Sequence, residues 1–289
     1  MSGRERLLDV SAHVHIVLLI ERCVLIQSIF DPSSRWYPLY ARRKKAGTGI
    51  GHVVGGSPRR WDSDRCHRSK PDLEGIPMDT AIIGAGKIGS RVATNLVNGG
   101  ERVIVADRTL AKAEQLATRL GDTARAMSVP DAIRNAEAVV LAVYFDAEKQ
   151  LIAEFATELR GKIVIDPSNP IGPDGKGGFS KTIPEDQSSG QIIASLLPDG
   201  ARFVKAFGTL TAESLEAEAN RSAKRVALFY ATDDQDAGAV VERLIEASGH
   251  APVLVGGVNR SIRIEVGGDL HQVGGLGRPV SAAEASAKV

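Results

Sequence analysis

From residue 78 onward, short apolar runs alternate with stretches in which apolar side chains recur every third or fourth position. Thr80-Ala-Ile-Ile83 is the first run, and the turn Gly84-Ala-Gly-Lys-Ile-Gly89 follows it directly. A helical period then runs through Ile88, Val92, Ala93, Leu96 and Val97, and it stops at Asn98-Gly99-Gly100. Arg102–Asp107 predicts a second strand and Leu110–Leu120 a second helix. Ala138–Val143, Lys162–Asp166, Phe203–Phe207, Arg225–Ala231 and Pro252–Val255 predict further strands, and Gln191–Leu197 and Ala237–Ala247 further helices. Asp131 and Asp146 are placed to cap helices on either side of Ala138–Val143. Continuous apolar strands alternating with amphipathic helices predict an α/β fold: one compact, doubly wound Rossmann domain over 78–289 with a mostly parallel sheet. No separate substrate domain is expected, because strands and helices keep alternating as far as Val255.

Residues 1–77 break this pattern. Ile16–Ile20 and Cys23–Phe30 are apolar, but Glu21-Arg22 divides them, so neither reaches the roughly 18 residues of a membrane span. Arg42-Arg43-Lys44-Lys45 and Arg59-Arg60 lie in Gly/Ser/Pro-rich sequence, as a nucleic-acid tail or a solvated arm would. A third reading starts translation at Met78, two residues before the first strand. Residues 1–77 are then expected to be a disordered or mis-called N-terminal extension. The 289 residues carry a net charge of +1, which argues against a general nucleic-acid or membrane-surface role. Cys23 and Cys66 precede Met78, and the cysteine-free remainder suits a reducing cytoplasm. No metal-ligand spacing is present.

The chemistry concentrates at strand ends. Gly84, Gly86 and Gly89, with Ala85, Lys87 and Ile88 between them, have the G-x-G-x-x-G spacing between a strand and a helix. The first glycine makes the turn, the second admits a pyrophosphate to the backbone, and the third lets helix pack on strand. Asp107 at the second strand's end favours NAD, since a carboxylate there grips ribose hydroxyls and repels a 2′-phosphate. Arg108 and Lys112 favour NADP, as a guanidinium fork and an ammonium one helical turn further on. NADP is taken as the cofactor, with NAD as the alternative.

Ala142-Val143-Tyr144 and Pro167-Ser168-Asn169-Pro170-Ile171 end two central strands, where ligands of such sheets bind. Tyr144 fits either a nicotinamide border or a rim position. Asn169 fits either a carboxamide contact or its own Asx-turn. Residues 172–190 are long enough for a functional lid. Phe207 and Gly208 end a later strand and complete the expected nicotinamide frame with Pro170. Asp233-Asp234 reads as a helix cap. His271 is a histidine in a mouth position, structural or catalytic. No residue stands out as an obligatory acid, base or nucleophile.

Met78-Asp-Thr-Ala-Ile-Ile-Gly-Ala-Gly-Lys-Ile-Gly89, Asp166-Pro-Ser-Asn-Pro-Ile171, Ser188-Ser-Gly190 and Val204-Lys-Ala-Phe-Gly-Thr209 together resemble the NADPH-dependent deazaflavin reductases. The same fold resembles the cytoplasmic domain of transmembrane ferric reductases and the N-terminal domain of pyrroline-carboxylate reductases. The resemblance covers about 78–289 and departs from the family at Asp107, where Ser is usual, and at Gly208, where Asn is usual. It implies hydride transfer between a nicotinamide and a small-molecule redox carrier, a deazaflavin or a flavin, in a homodimer. A non-catalytic NAD(P)-binding redox sensor is the alternative. Reduction of a C=N or C=O compound is a third reading, and it requires a proton donor that the sequence does not single out.

Overall fold

The computed structural model describes residues 78–175, 178–219 and 224–289; the expectations for 1–77 lie outside the described residues. In chain order the elements are β1 (Thr80–Ile83), α1 (Lys87–Asn98), β2 (Val103–Ala106), α2 (Leu110–Leu120), β3 (Ala124–Ala126), α3 (Val129–Asn135), β4 (Ala138–Leu141) and α4 (Phe145–Glu154). There follow β5 (Ile163–Asp166), β6 (Ile171–Pro173), β7 (Phe179–Lys181), α5 (Ser189–Leu196), β8 (Arg202–Lys205), α6 (Ala212–Ala217), β9 (Ala227–Tyr230), α7 (Gln235–Ala247), β10 (Ala251–Leu254), a 3-10 helix (Val258–Ile264) and α8 (Ala282–Ser286).

Six strands form one sheet in the order β3-β2-β1-β4-β5-β8, every neighbouring pair parallel. Because both faces are covered, both sets of alternating side chains are apolar. Ile82, Val103, Val105 and Val140 join Val92 and Leu96 of α1 and Val241 and Leu244 of α7. Ala81, Ile83, Ile104, Val139 and Leu141 face the other way, onto Ile133 of α3, Phe145 and Ile152 of α4 and Ile193 of α5. The chain order reverses between β1 and β4, so the carboxyl ends of these strands open a crevice. This is the doubly wound α/β fold expected from the pattern.

The structure corrects several local expectations. Asp131 is not the cap of α3: Ser128 is, its hydroxyl accepting the Asp131 N–H, with Pro130 in the first turn. Asp146 lies inside the first turn of α4 and pairs with Lys149 at 2.6 Å. The last two strands do not extend the large sheet. β9 and β10 pair parallel with each other, and an antiparallel bridge between Lys205 and Ala231 links β9 to the end of β8. Residues 172–190 contain an antiparallel hairpin, β6–β7, and then the start of α5. Asp234 does cap α7 through its Oδ1, whereas Asp233 turns away to accept the Val258 N–H. No helix among the described residues is long and apolar enough to cross a membrane.

Candidate functional site

At the end of β1 the glycines do three different jobs. Gly84 has φ +108°, and a Cβ there would lie 2.4 Å from the Ala142 carbonyl oxygen. A Cβ on Gly89 would lie 1.9 Å from the Gly84 carbonyl oxygen, so the first turn of α1 presses directly on the strand end. Gly86 meets nothing within 4 Å. It begins α1 without a side-chain cap, and the first turn has no acidic residue. The positive end of the helix dipole therefore meets open space, as an anion site requires.

Asp107 is engaged with the backbone on both oxygens. Oδ2 accepts the Ala85 N–H and Oδ1 the Thr109 N–H, each at 2.9 Å. The carboxylate thus fastens the glycine turn to the start of α2. Arg108 and Lys112 are exposed beside it and form no ion pair among the described residues.

A cleft of about 880 Å³ runs from this helix start across the sheet edge. Gly86, Lys87 and Ile88 line one end, Ala142, Val143 and Tyr144 the middle, and Asn169, Gly208 and His271 the far wall. Gly84, Ala85, Gly89, Asp107, Arg108 and Lys112 lie outside its lining, Gly84 because it is packed against Ala142 and Gly89 because it is packed against Gly84. Tyr144 and Phe179 expose 79% and 70% of their surfaces. Two aromatic rings, one at the sheet edge and one on the β6–β7 hairpin, thus stand bare on the walls.

Two expected wall residues are elsewhere. Phe207 is fully buried in the core with Val204, Ala206 and Leu210, and its φ of +63° is a left-handed conformation unusual for an aromatic residue. That twist turns the ring inward. Pro170 is buried outside the cleft lining, its carbonyl accepting the Thr182 N–H of the hairpin.

The polar groups of the far wall hold backbone. Asn169 donates from Nδ2 to the Gly208 carbonyl and accepts the Val266 N–H at Oδ1, so it forms neither a simple Asx-turn nor a free amide. His271 accepts the Val273 N–H at Nδ1, which leaves Nε2 to carry the proton and donate to the Gly208 carbonyl. Burial lowers the His271 pKa, and with both nitrogens occupied the ring is a neutral strut rather than an acid or base. Gly208 is required by close approach, since a Cβ would stand 2.7 Å from the Pro167 carbonyl oxygen. This explains glycine where the resembling family has asparagine.

Behind the cleft lies a cluster that sequence reasoning missed. Lys205 at the end of β8 is 2% exposed and donates to Asp166 Oδ2 and the Ser168 carbonyl, both at 2.7 Å, and to Ser189 Oγ at 3.2 Å. Asp166 also accepts the Ser168 N–H at 2.6 Å. Glu148 of α4 is fully buried beside them, and neither of its oxygens has a hydrogen-bond partner. Burial first, and then the neighbouring Asp166 charge, push its carboxyl pKa well above the ordinary carboxylate range. Glu265 accepts from Ser188 Oγ and from the Ser189 and Gly190 N–H groups, anchoring the segment after the 3-10 helix to the start of α5. Asp166 and Lys205 sit inside the sequence blocks Asp166–Ile171 and Val204–Thr209, and only their pairing was hidden. Glu148 and Glu265 look like surface residues in sequence, with no local signal of burial.

A parallel sheet of this strand order, with an open glycine turn at its first crossover, defines a dinucleotide-binding Rossmann protein. Residues 79–170 match the family model described as "NADP oxidoreductase coenzyme F420-dependent". A solved hypothetical protein from Sinorhizobium meliloti is 32% identical, with a TM-score of 0.61, over 67% of this chain and 93% of that one. The chain belongs to this family of NADP oxidoreductases. Among curated relatives, rat "Metalloreductase STEAP3" is 27% identical over 206 residues, 70% of this chain and 39% of that protein. The "F420-dependent NADP reductase" of Methanothermobacter thermautotrophicus is 28% identical over 148 residues, 48% of this chain and 64% of that one. The chain thus spans less than two thirds of either curated relative.

Proposed function

We propose that residues 78–289 catalyse hydride transfer between NADP(H) and a flat redox carrier, a deazaflavin or a flavin. The observation that carries this reading is the continuity of one 880 Å³ cleft from the uncapped start of α1 to the bare rings of Tyr144 and Phe179. Gly84–Gly89 would hold the pyrophosphate, Ala142 and Val143 would border the nicotinamide, and Asn169 and His271 would keep the Gly208 wall in place. Arg108 and Lys112 would take a 2′-phosphate. Asp107 has each oxygen already accepting a backbone N–H, which takes up part of its capacity for ribose hydroxyls. When bound, the nicotinamide supplies or receives the hydride; the protein positions two rings and excludes water. The F420 dependence in the name of the Methanothermobacter relative supports a deazaflavin as the carrier.

A non-catalytic NAD(P)-binding sensor is the second reading, favoured by one observation: the polar side chains of the far wall are spent on backbone. Anaerobic stopped-flow mixing of NADPH or NADH with oxidised deazaflavin and flavin separates the two. Acceptor reduction on the timescale of turnover is expected. Tight nucleotide binding with every acceptor left oxidised would exclude the enzyme.

A further inference from the structure

Hydride addition to a carbonyl carbon leaves a localised charge on oxygen, and that oxygen requires a proton. The polar side chains of the cleft differ in whether they can supply one. The Ser168 hydroxyl is sealed from the opening. His271 spends its donated hydrogen on the Gly208 carbonyl, and Asn169 is an amide rather than an acid. Lys181 is tied to the Glu185 and Gln187 carbonyls at 2.8 and 2.9 Å. Lys87 is the first residue of α1, at the phosphate end of the cleft. Ser180 on the hairpin carries an alcohol, a weaker acid than a phenol. Tyr144 is different. It lines the cleft beside Val143, and its side chain is 79% exposed with no hydrogen-bond partner among the described residues.

The position of Tyr144 carries a second observation. It occupies the N-cap of α4, where a short polar side chain would satisfy the first turn, and it makes no cap. Ser128, Ser188, Thr211, Asp234 and Ser281 do cap α3, α5, α6, α7 and α8. The other uncapped starts, those of α1 and α2, lie at the glycine turn and beside Asp107. Phe145, the next residue, is buried in the core with Ile152, which anchors the turn while Tyr144 stays outside. A capping position given to an open phenol marks a residue kept for chemistry rather than for helix stability.

We propose that the cleft also reduces an uncharged aromatic aldehyde or ketone, with Tyr144 as the catalytic acid. The bare ring of Phe179 and the apolar side chains of Ile171, Leu210 and Val266 suit a flat, uncharged substrate. The carbonyl carbon gains the hydride, the carbonyl π pair moves to oxygen, and that oxygen takes the Tyr144 proton. The product is an alcohol; the reduced nicotinamide, oxidised in the step, is the two-electron reductant, and solvent reprotonates the open phenolate. A flavin or deazaflavin spreads the same charge over its ring system, so a dedicated acid serves the carbonyl substrate above all. This inference rests on the NADP(H) site of the function proposed above.

Two measurements on the full-length protein test it, with 2-naphthaldehyde as the probe. In infrared spectra of the complex with NADP+ and aldehyde labelled at the carbonyl carbon, the phenol hydrogen bond should lower the carbonyl frequency. Y144F, which removes only the hydroxyl, should return the band towards its free value; equal frequencies in the two proteins overturn the proposal. In kinetics with NADPH, the wild type should form the alcohol, and Y144F should lose roughly 100-fold in aldehyde kcat relative to carrier kcat. The loss should fall on kcat, because the ring that borders the aldehyde remains. A change confined to KM, or an equal loss with aldehyde and carrier, overturns the role of Tyr144. Wild-type protein that reduces deazaflavin or flavin but no aldehyde overturns this inference alone. Aldehyde reduction without carrier reduction supports it and overturns the proposed carrier, and reduction of neither overturns both.

Discussion

The two ends of the cleft are built on opposite plans. At the β1–α1 end the backbone faces the opening: Gly86 meets nothing within 4 Å, and the helix begins without a capping side chain. At the β5–β8 end side chains hold the backbone in place: Asn169 and His271 converge on one carbonyl, while an ion pair and a buried carboxyl, Glu148, are sealed behind it. An anion that every nucleotide shares suits a surface of N–H groups, whereas a second, variable substrate suits a wall whose shape is set by packing. The first end states the class of ligand. The second carries whatever distinguishes this chain.

The comparison is broken most violently by steric change at the first end. Gly89→Ala places a methyl group 1.9 Å from the Gly84 carbonyl oxygen. It should destabilise the domain by about 4 kcal/mol or more and abolish nucleotide binding, as thermal denaturation and NADPH titration would read. At the second end, Lys205→Met leaves Asp166 buried without its cation. The expected loss is about 3–5 kcal/mol in denaturant titration. A loss close to zero would mean that the cluster does not hold the β5 and β8 ends together.

Acid should loosen the second end before the first. His271 is held neutral with its pKa below the ordinary value, by burial above all. The unfolded chain takes up its proton first, so stability is intact above about pH 6.5 and declines as pH falls below it. Protonation also removes the acceptor that holds the Val273 N–H. H271Q should flatten part of that decline in a series of melting temperatures against pH. The remainder belongs to His250, whose pKa burial lowers to about 4. Arg108→Ala tests the smallest effect, at the edge of the first end. It should weaken NADPH about 10-fold, the scale of one charge-assisted contact, and leave NADH and thermal stability unchanged; equal weakening of both nucleotides would remove the phosphate role.

The legibility of the molecule in its sequence follows the same division. β1, the glycine turn and α1 are contiguous, and local spacing alone reveals them; the continuous apolar runs of β2, β4 and β5 likewise announce a parallel sheet. Glu148, Asp166 and Lys205 come from three elements, and only the order of the sheet brings them together. Phe207 points inward because its backbone adopts a positive φ that no pattern of apolar residues encodes. Ser128 takes the cap from Asp131 through local competition between two good capping residues three positions apart, which spacing does not resolve. Gly208 reads as the loss of an amide until the Pro167 carbonyl is seen against it.

The central claim is that one cleft holds nicotinamide and acceptor face to face. Its most direct measurement follows the hydrogen itself. NADPH deuterated at the transferring C4 position is mixed anaerobically with oxidised deazaflavin and the protein, and the reduced carrier is analysed by mass spectrometry. Direct transfer predicts one deuterium in the carrier, bound to carbon and not exchanged with solvent. A reduced carrier without deuterium, or a carrier left oxidised beside bound labelled NADPH, would contradict the account.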